Sequence, residues 1–181
     1  MKSIKYVMAS VFTVALSAGS LSALADVDAE DFVEEASEKN FAEIEAAKLA
    51  LEKSQNSAVR SFAQKMINDH TANNTELRSI ASAKKVELED DADLANKAKA
   101  AILKQRDGES FDVAYANNQV TAHRKTIEFY QEASKSKDTE VRTFAVAALP
   151  KLQHHLKEAE ALVSELSKNS PNVDNTADHH D

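Results

Sequence analysis

Three histidines and one glutamate are the residues of this chain that could do chemistry together: Glu43, His70, His123 and His155. Each lies in a separate stretch of helical periodicity, inside the apolar arc of that stretch. Three imidazoles and a carboxylate are the donor set of a transition-metal site. They suit Zn²⁺, Cu²⁺, Ni²⁺ or Fe²⁺ better than Ca²⁺ or Mg²⁺, which take oxygen. A lone imidazole in such an arc is more often a core residue donating to a carbonyl or carboxylate. In that second reading Glu43 would pair with one ring and Asn73, Asn74 or Gln119 would satisfy the others, and both readings stand at this point.

Residues 59–81 position His70. Wound at about 100° per residue, Val59, Phe62, Ala63, Met66, Leu77, Ile80 and Ala81 share one face with His70 at its middle. Met66, one turn away, is a thioether that would favour copper, although core filler is the commoner role. A preceding helix over 29–54 turns Phe32, Val33, Ala36, Ile44, Ala47, Ala50 and Leu51 inward, with Asn40 and Glu43 as polar residues inside the arc. Residues 55–57 then give a short turn and a cap, which makes these two helices antiparallel neighbours.

Residues 86–107 read as a long crossover with a short helix, its apolar side Ala95, Ala98, Ala101, Ile102 and Leu103. A third long helix is expected from near Ser110 to Ser136. Phe111, Tyr115, Ala116, Ala122, Ile127, Phe129, Tyr130 and Ala133 face inward there, together with Asp112, Gln119 and His123. Asp138 caps the fourth, whose stripe is Val141, Phe144, Ala148, Leu152, Ala159, Leu162 and Leu166 with His155 inside it. His154 projects away from that stripe. Pro150 interrupts the helix and predicts a kink, either merely tolerated or opening space beside a site. Val59-Arg60-Ser61-Phe62-Ala63 and Val141-Arg142-Thr143-Phe144-Ala145 repeat at the starts of the second and fourth helices, as in two joined helix hairpins.

The heights of the four candidate ligands agree. Glu43 and His70 lie about 13 and 14 residues from the turn near Asn56, roughly 20 Å at 1.5 Å per residue. His123 and His155 lie about 14 and 18 residues from the turn near Lys137, roughly 21 and 27 Å. All four fall near the waist of an up-down arrangement, His155 least closely. Asp69, at the edge of its helix face, is read either as an acceptor orienting an imidazole from a neighbouring helix or as an exposed carboxylate. Asp112 is read as a similar supporting group or as a helix-dipole charge.

Composition bounds the rest. The chain has 181 residues, no cysteine, two glycines and two prolines. It therefore has little turn vocabulary for hairpins of strands and reads as all-α. Residues 1–25, with Lys2 and Lys5, an apolar run and Ala23-Leu24-Ala25, are expected to be a secretory signal peptide. Residues 26–166 are expected to form the helical domain and 167–181 a disordered tail. The formal charge is −8; without Lys2 and Lys5 the balance of 20 basic to 30 acidic residues leaves −10. Such a surface argues against nucleic acid as partner. No later stretch is long and apolar enough to span a bilayer, and the protein partner and oligomeric state stay open.

A di-iron centre would need a Glu-x-x-His on each of two helices. The residues three before His70, His123 and His155 are Ile67, Val120 and Leu152, so ferroxidase chemistry is not expected. An enzyme with an open metal position would need Glu43 to stay off the metal and a cleft to reach it. The sequence shows no cleft, and no catalytic residue is assigned.

Several runs carry a family resemblance: Phe32-Val33, Ala42-Glu43-Ile44-Glu45, the stretch from Phe62 to Thr71 with Asp69-His70-Thr71, Phe111-Asp112, Gln119-Val120-Thr121-Ala122-His123, and Leu149-Pro150-Lys151-Leu152-Gln153-His154-His155-Leu156. With these, the chain resembles a bacterial family of exported ferritin-like proteins of unknown function. The resemblance implies a ferritin-like up-down four-helix bundle with one long crossover carrying a short helix, placed in the periplasm or at the outer membrane. It also matches Glu43, Asp69, His70, Asp112, His123 and His155 to the family's characteristic positions. The expected function is binding of a divalent transition metal (Zn, Cu or Fe) in metal handling or envelope stress. The alternative is a metal-free helical module that binds an envelope partner.

Overall fold

A computed structural model describes residues 27–88 and 94–169, which form five helices and no strand. They are α1 (Ala29–Lys53), α2 (Ser57–Lys84), α3 (Leu94–Lys104), α4 (Gly108–Ala133) and α5 (Thr139–Asn169). The expected signal peptide, and the tail beyond Asn169, lie outside the described residues. Residues 167–169 belong to α5, so the helix runs past Leu166, where the periodicity was expected to end. No described helix is long and apolar enough to cross a membrane.

Local sequence sets the helix ends. The Asp28 carboxylate accepts from the main-chain N–H of Glu30 at 2.9 Å and starts α1. Asn56 Oδ1 accepts from Ala58 and Val59 at 2.9 and 3.2 Å and starts α2. Asp138 Oδ1 accepts from Glu140 and Val141, both at 3.0 Å, and starts α5. Each such cap satisfies donors that the helix itself cannot, a contribution of about 1 kcal/mol. Lys85, at φ 61°, takes the left-handed conformation that closes α2. Gly108, at φ 55°, takes it where the chain enters α4. The third long helix therefore begins at Gly108 rather than near Ser110.

The repeated VR(S/T)FA segments are parts of one device used twice. Arg60 donates to the carbonyls of Leu51 and Ser54, and Arg142 to those of Ser136 and Lys137. Buried Ser54 and Ser136 each accept, through Oγ, the main-chain N–H two residues on, at 3.1 Å. Both interhelix turns are thus closed by the same serine, cap and arginine, which sets two antiparallel hairpins, α1–α2 and α4–α5.

The hairpins pack face to face. Phe62 meets Tyr115 at 6.3 Å between ring centroids, and Lys65, Asp69 and Lys84 pair with Glu158, Lys151 and Asp138 in turn. So α4 runs parallel to α2 and α5 antiparallel to it, as a crossover between the hairpins requires. The Lys53 ammonium donates at 2.7 Å to the carbonyls of Lys104 and Arg106 and to the Asp107 carboxylate, fixing the end of that crossover. On α3 the stripe is rotated from the expected one. Leu103 is buried, whereas Ile102 is 64 % exposed and Ala98 and Ala101 also face outward. An 11-residue helix lying on a surface buries only a narrow line, which a run of alanines does not identify.

Two apolar clusters fill the interior. One holds Ala47, Val59, Phe62, Met66, Phe111, Tyr115 and Leu162; the other holds Phe32, Leu77, Ile127, Tyr130, Val141 and Phe144. Burial of each large side chain contributes about 1.5–3 kcal/mol. The long helices join the two clusters, and most of the buried residues between them are polar.

Candidate metal centre

His70 on α2, His123 on α4 and His155 on α5 are each 3 % exposed or less. Their ring centroids form a near-equilateral triangle with sides of 5.7, 5.6 and 5.4 Å. One nitrogen from each ring lies within 4.8 Å of the others. The two hairpins contribute unequally, one ring from the first and two from the second.

Each ring is held by a hydrogen bond at one of its nitrogens. His123 Nδ1 donates to the carbonyl of Gln119 on its own helix at 2.9 Å. His155 Nε2 donates to Asp69 Oδ2 at 2.8 Å, and His70 Nδ1 to Asn40 Oδ1 at 2.7 Å. The Asn40 amide is turned this way while its Nδ2 donates to Asn74 Oδ1 at 2.9 Å. A carbonyl and a carboxylate cannot donate, so the acceptors fix the proton on the bonded nitrogen. Three buried nitrogens then remain without a hydrogen-bond partner: His70 Nε2, His123 Nε2 and His155 Nδ1. In neutral rings these are lone pairs.

Burial works against protonation of two of the rings, those of His70 and His155. Burial, followed by the imidazoles of His123 and His155, pushes His70 well below its ordinary 6.5. Burial likewise pushes His155 down to about 4, although the Asp69 hydrogen bond works the other way. Burial alone would raise Asp69. Hydrogen bonds from Lys151 and His155 outweigh it and hold the carboxyl below its usual 3.8, ionised and ready to accept. Lys151 Nζ lies 3.0 Å from Asp69 Oδ1, so Asp69 bridges an ammonium and an imidazole.

Glu43 and Asp112 sit elsewhere. Glu43 is buried on α1, and its Oε2 accepts from Gln119 Nε2 at 2.7 Å; it is not among the three groups within mutual reach. Gln119 thus meets Glu43 through its side-chain amide and His123 through its main-chain carbonyl, two bonds at one residue. Asp112 is buried one turn into α4, and its Oδ1 has no partner. Met66 belongs to the apolar cluster beside Phe62. His154 is exposed and lies 3.3 Å from Glu158. Lys151 was not singled out from the sequence; its position one turn before His155 was the available signal.

A cavity of about 140 Å³ lies between α2 and α5, with His70, His155, Asp69 and Lys151 in its wall. Three buried imidazoles brought together from three helices, each hydrogen-bonded to an acceptor, make an arrangement that can bind a cation. No curated protein and no solved structure matches the chain. Residues 14–162 match the family described as "Domain of unknown function (DUF4142)", and with most of its length covered the protein belongs to that family.

Proposed function

We propose that this protein is an exported, ferritin-like four-helix bundle that binds one divalent transition metal ion through His70, His123 and His155, with a role in metal handling in the cell envelope. The single observation that carries the reading is the set of three buried ring nitrogens without a partner on three rings in contact. Each such group left unsatisfied costs about 1–3 kcal/mol. At His70 and His155 protonation does not relieve it, because burial disfavours the charged ring. A water molecule has two protons for three acceptors. A divalent cation that prefers nitrogen answers all three at once.

Asp69, Asn40 and the Gln119 carbonyl are in the positions from which hydrogen bonds orient ligating imidazoles. Glu43, the fourth donor suggested by the sequence, acts in this reading from behind Gln119. The metal-free interaction module is the competing reading, and it lacks an account of the three lone pairs.

Elemental analysis of residues 26–181, purified without chelator and then incubated with Zn²⁺ or Cu²⁺, tests the proposal. The expected result is about one equivalent of metal in the wild type and none in a His70→Ala/His123→Ala variant with unchanged helicity. Empty wild-type protein after incubation, with a melting temperature that chelator does not move, would sink it.

A further inference from the structure

A closed site of four protein donors needs a fourth side chain on the ion, and among the described residues the imidazole, thiol and carboxylate groups within mutual reach number three. The carboxylate available for the purpose, Glu43, is bonded to Gln119. On the α2–α5 side two of the three imidazoles, those of His70 and His155, form part of a cavity wall. Ala72, Ala147 and Ala148 keep that cavity from being filled by side chains, and Pro150 lies within the stretch of α5 that walls it. At about 140 Å³, against a share of ≈ 30 Å³ per water in the liquid, it holds a small molecule of a few heavy atoms.

We propose that this cavity is a ligand subsite that admits a small anion, of the class of azide or a short carboxylate, to the His70–His155 side of the bound ion. The inference rests on the metal reading above and adds that the centre keeps an open position. Charge favours an anion. Neutral imidazole ligands leave the ion's two positive charges to the surroundings; of the two carboxylates in the cavity wall Asp69 is matched by Lys151 at 3.0 Å, and Glu76 offsets only one of the two charges. Lys151 is half-exposed and adds its charge to the cavity wall from its place on Asp69. The apolar remainder of the wall, Phe144 and Leu152, limits the guest to a small one.

Azide titration of the Co²⁺-loaded protein, followed by visible absorption, tests this directly. The expected result is a saturable shift of the cobalt bands. Ala147 is exposed at the rim, so Ala147→Trp should keep the azide-free bands while losing the shift. Lys151→Met should weaken azide by about tenfold through the lost charge. Histidine-dependent cobalt binding with bands that azide does not move would overturn the subsite and leave the metal site standing. A full azide response in both variants would overturn the assignment to this cavity. Failure to bind cobalt at all would overturn the metal reading and this one with it.

Discussion

Phe32 packs against Phe129, Tyr130 and Phe144 at 5.1, 5.4 and 6.1 Å at one end of the molecule, and Phe62, Phe111 and Tyr115 pack together at the other. Between these ends the buried positions hold Ser37, Asn40, Glu43, His70, Asn74, Gln119, His123 and His155. The same four helices supply both regions. At the ends burial is favourable by itself, because apolar surface leaves water. In the middle every buried group needs a partner, and several lack one. The contrast separates roles: the ends hold the helices together, and the waist gives up stability at the groups through which we propose that a cation binds.

That division can be broken from either side. The largest effect belongs to the ends. Phe32→Ala is expected to cost about 3–5 kcal/mol in urea unfolding while metal stoichiometry stays at one. A variant that folds but no longer binds metal would show that the end and the waist are not independent.

Next in size is the pH dependence of the metal-free waist. His155 has an ordinary value of 6.5 and a folded value of about 4, and His70 is displaced the same way. Between those limits the unfolded chain holds more protons than the folded one, so stability rises with pH. The contribution is complete above 6.5 and is lost as pH falls toward 4. For His155 alone the full span is roughly 3 kcal/mol, at about 1.4 kcal/mol per unit. Unfolding curves at pH 7.5 and 5 that coincide after correction for other groups would contradict it. In metal-loaded protein the ion should be released over the acidic range as the ligands protonate.

Smaller effects sharpen the boundary of the site. Asp69→Asn is expected to weaken metal binding by about 10–100-fold, the usual consequence of disturbing a hydrogen bond that orients a ligating imidazole. Competition titration against a chromophoric chelator reads this. Glu43→Gln keeps an acceptor for Gln119 and is expected to change affinity by less than about tenfold. A complete loss of stoichiometric binding would instead put Glu43 on the metal. Smallest is the cap at the second interhelix turn. Asp138→Ala should lower stability by about 1 kcal/mol, with no effect on metal affinity. A change in affinity there would mean that the turns, and not the waist, set the distances between the rings.

The fold was legible where its causes are local. Most residues of the arcs on the four long helices are buried, with Leu51, Ile80, Ala122, Phe129 and Ala148 half-buried at their edges, and the turn at 55–57 and Asp138 were readable as caps from type and position alone. The short α3 was not legible in phase. Its alanines are equally compatible with either side, and Ile102 went to solvent. At the waist the three histidines were legible as interior residues, because each breaks an otherwise apolar arc. Their helix phases and heights agreed well enough to bring them together, even though His155 had the poorest match in height. Glu43 satisfied the same two criteria and still found a different partner.

Sequence alone thus determined which side of each long helix faces inward, where those helices cap, and that three imidazoles and a carboxylate lie near one level. Those properties follow from a period of about 3.6 residues and a rise of 1.5 Å, and they are contained in each segment separately. Only the tertiary structure decided which polar atoms pair: Asn40 with His70, Asp69 with both Lys151 and His155, and Gln119 with Glu43. A hydrogen bond is made or lost within a few tenths of an ångström. Side-chain rotamers and small rotations of neighbouring helices move a terminal atom by more than that. The choice of partner therefore belongs to the packed assembly and to no single helix.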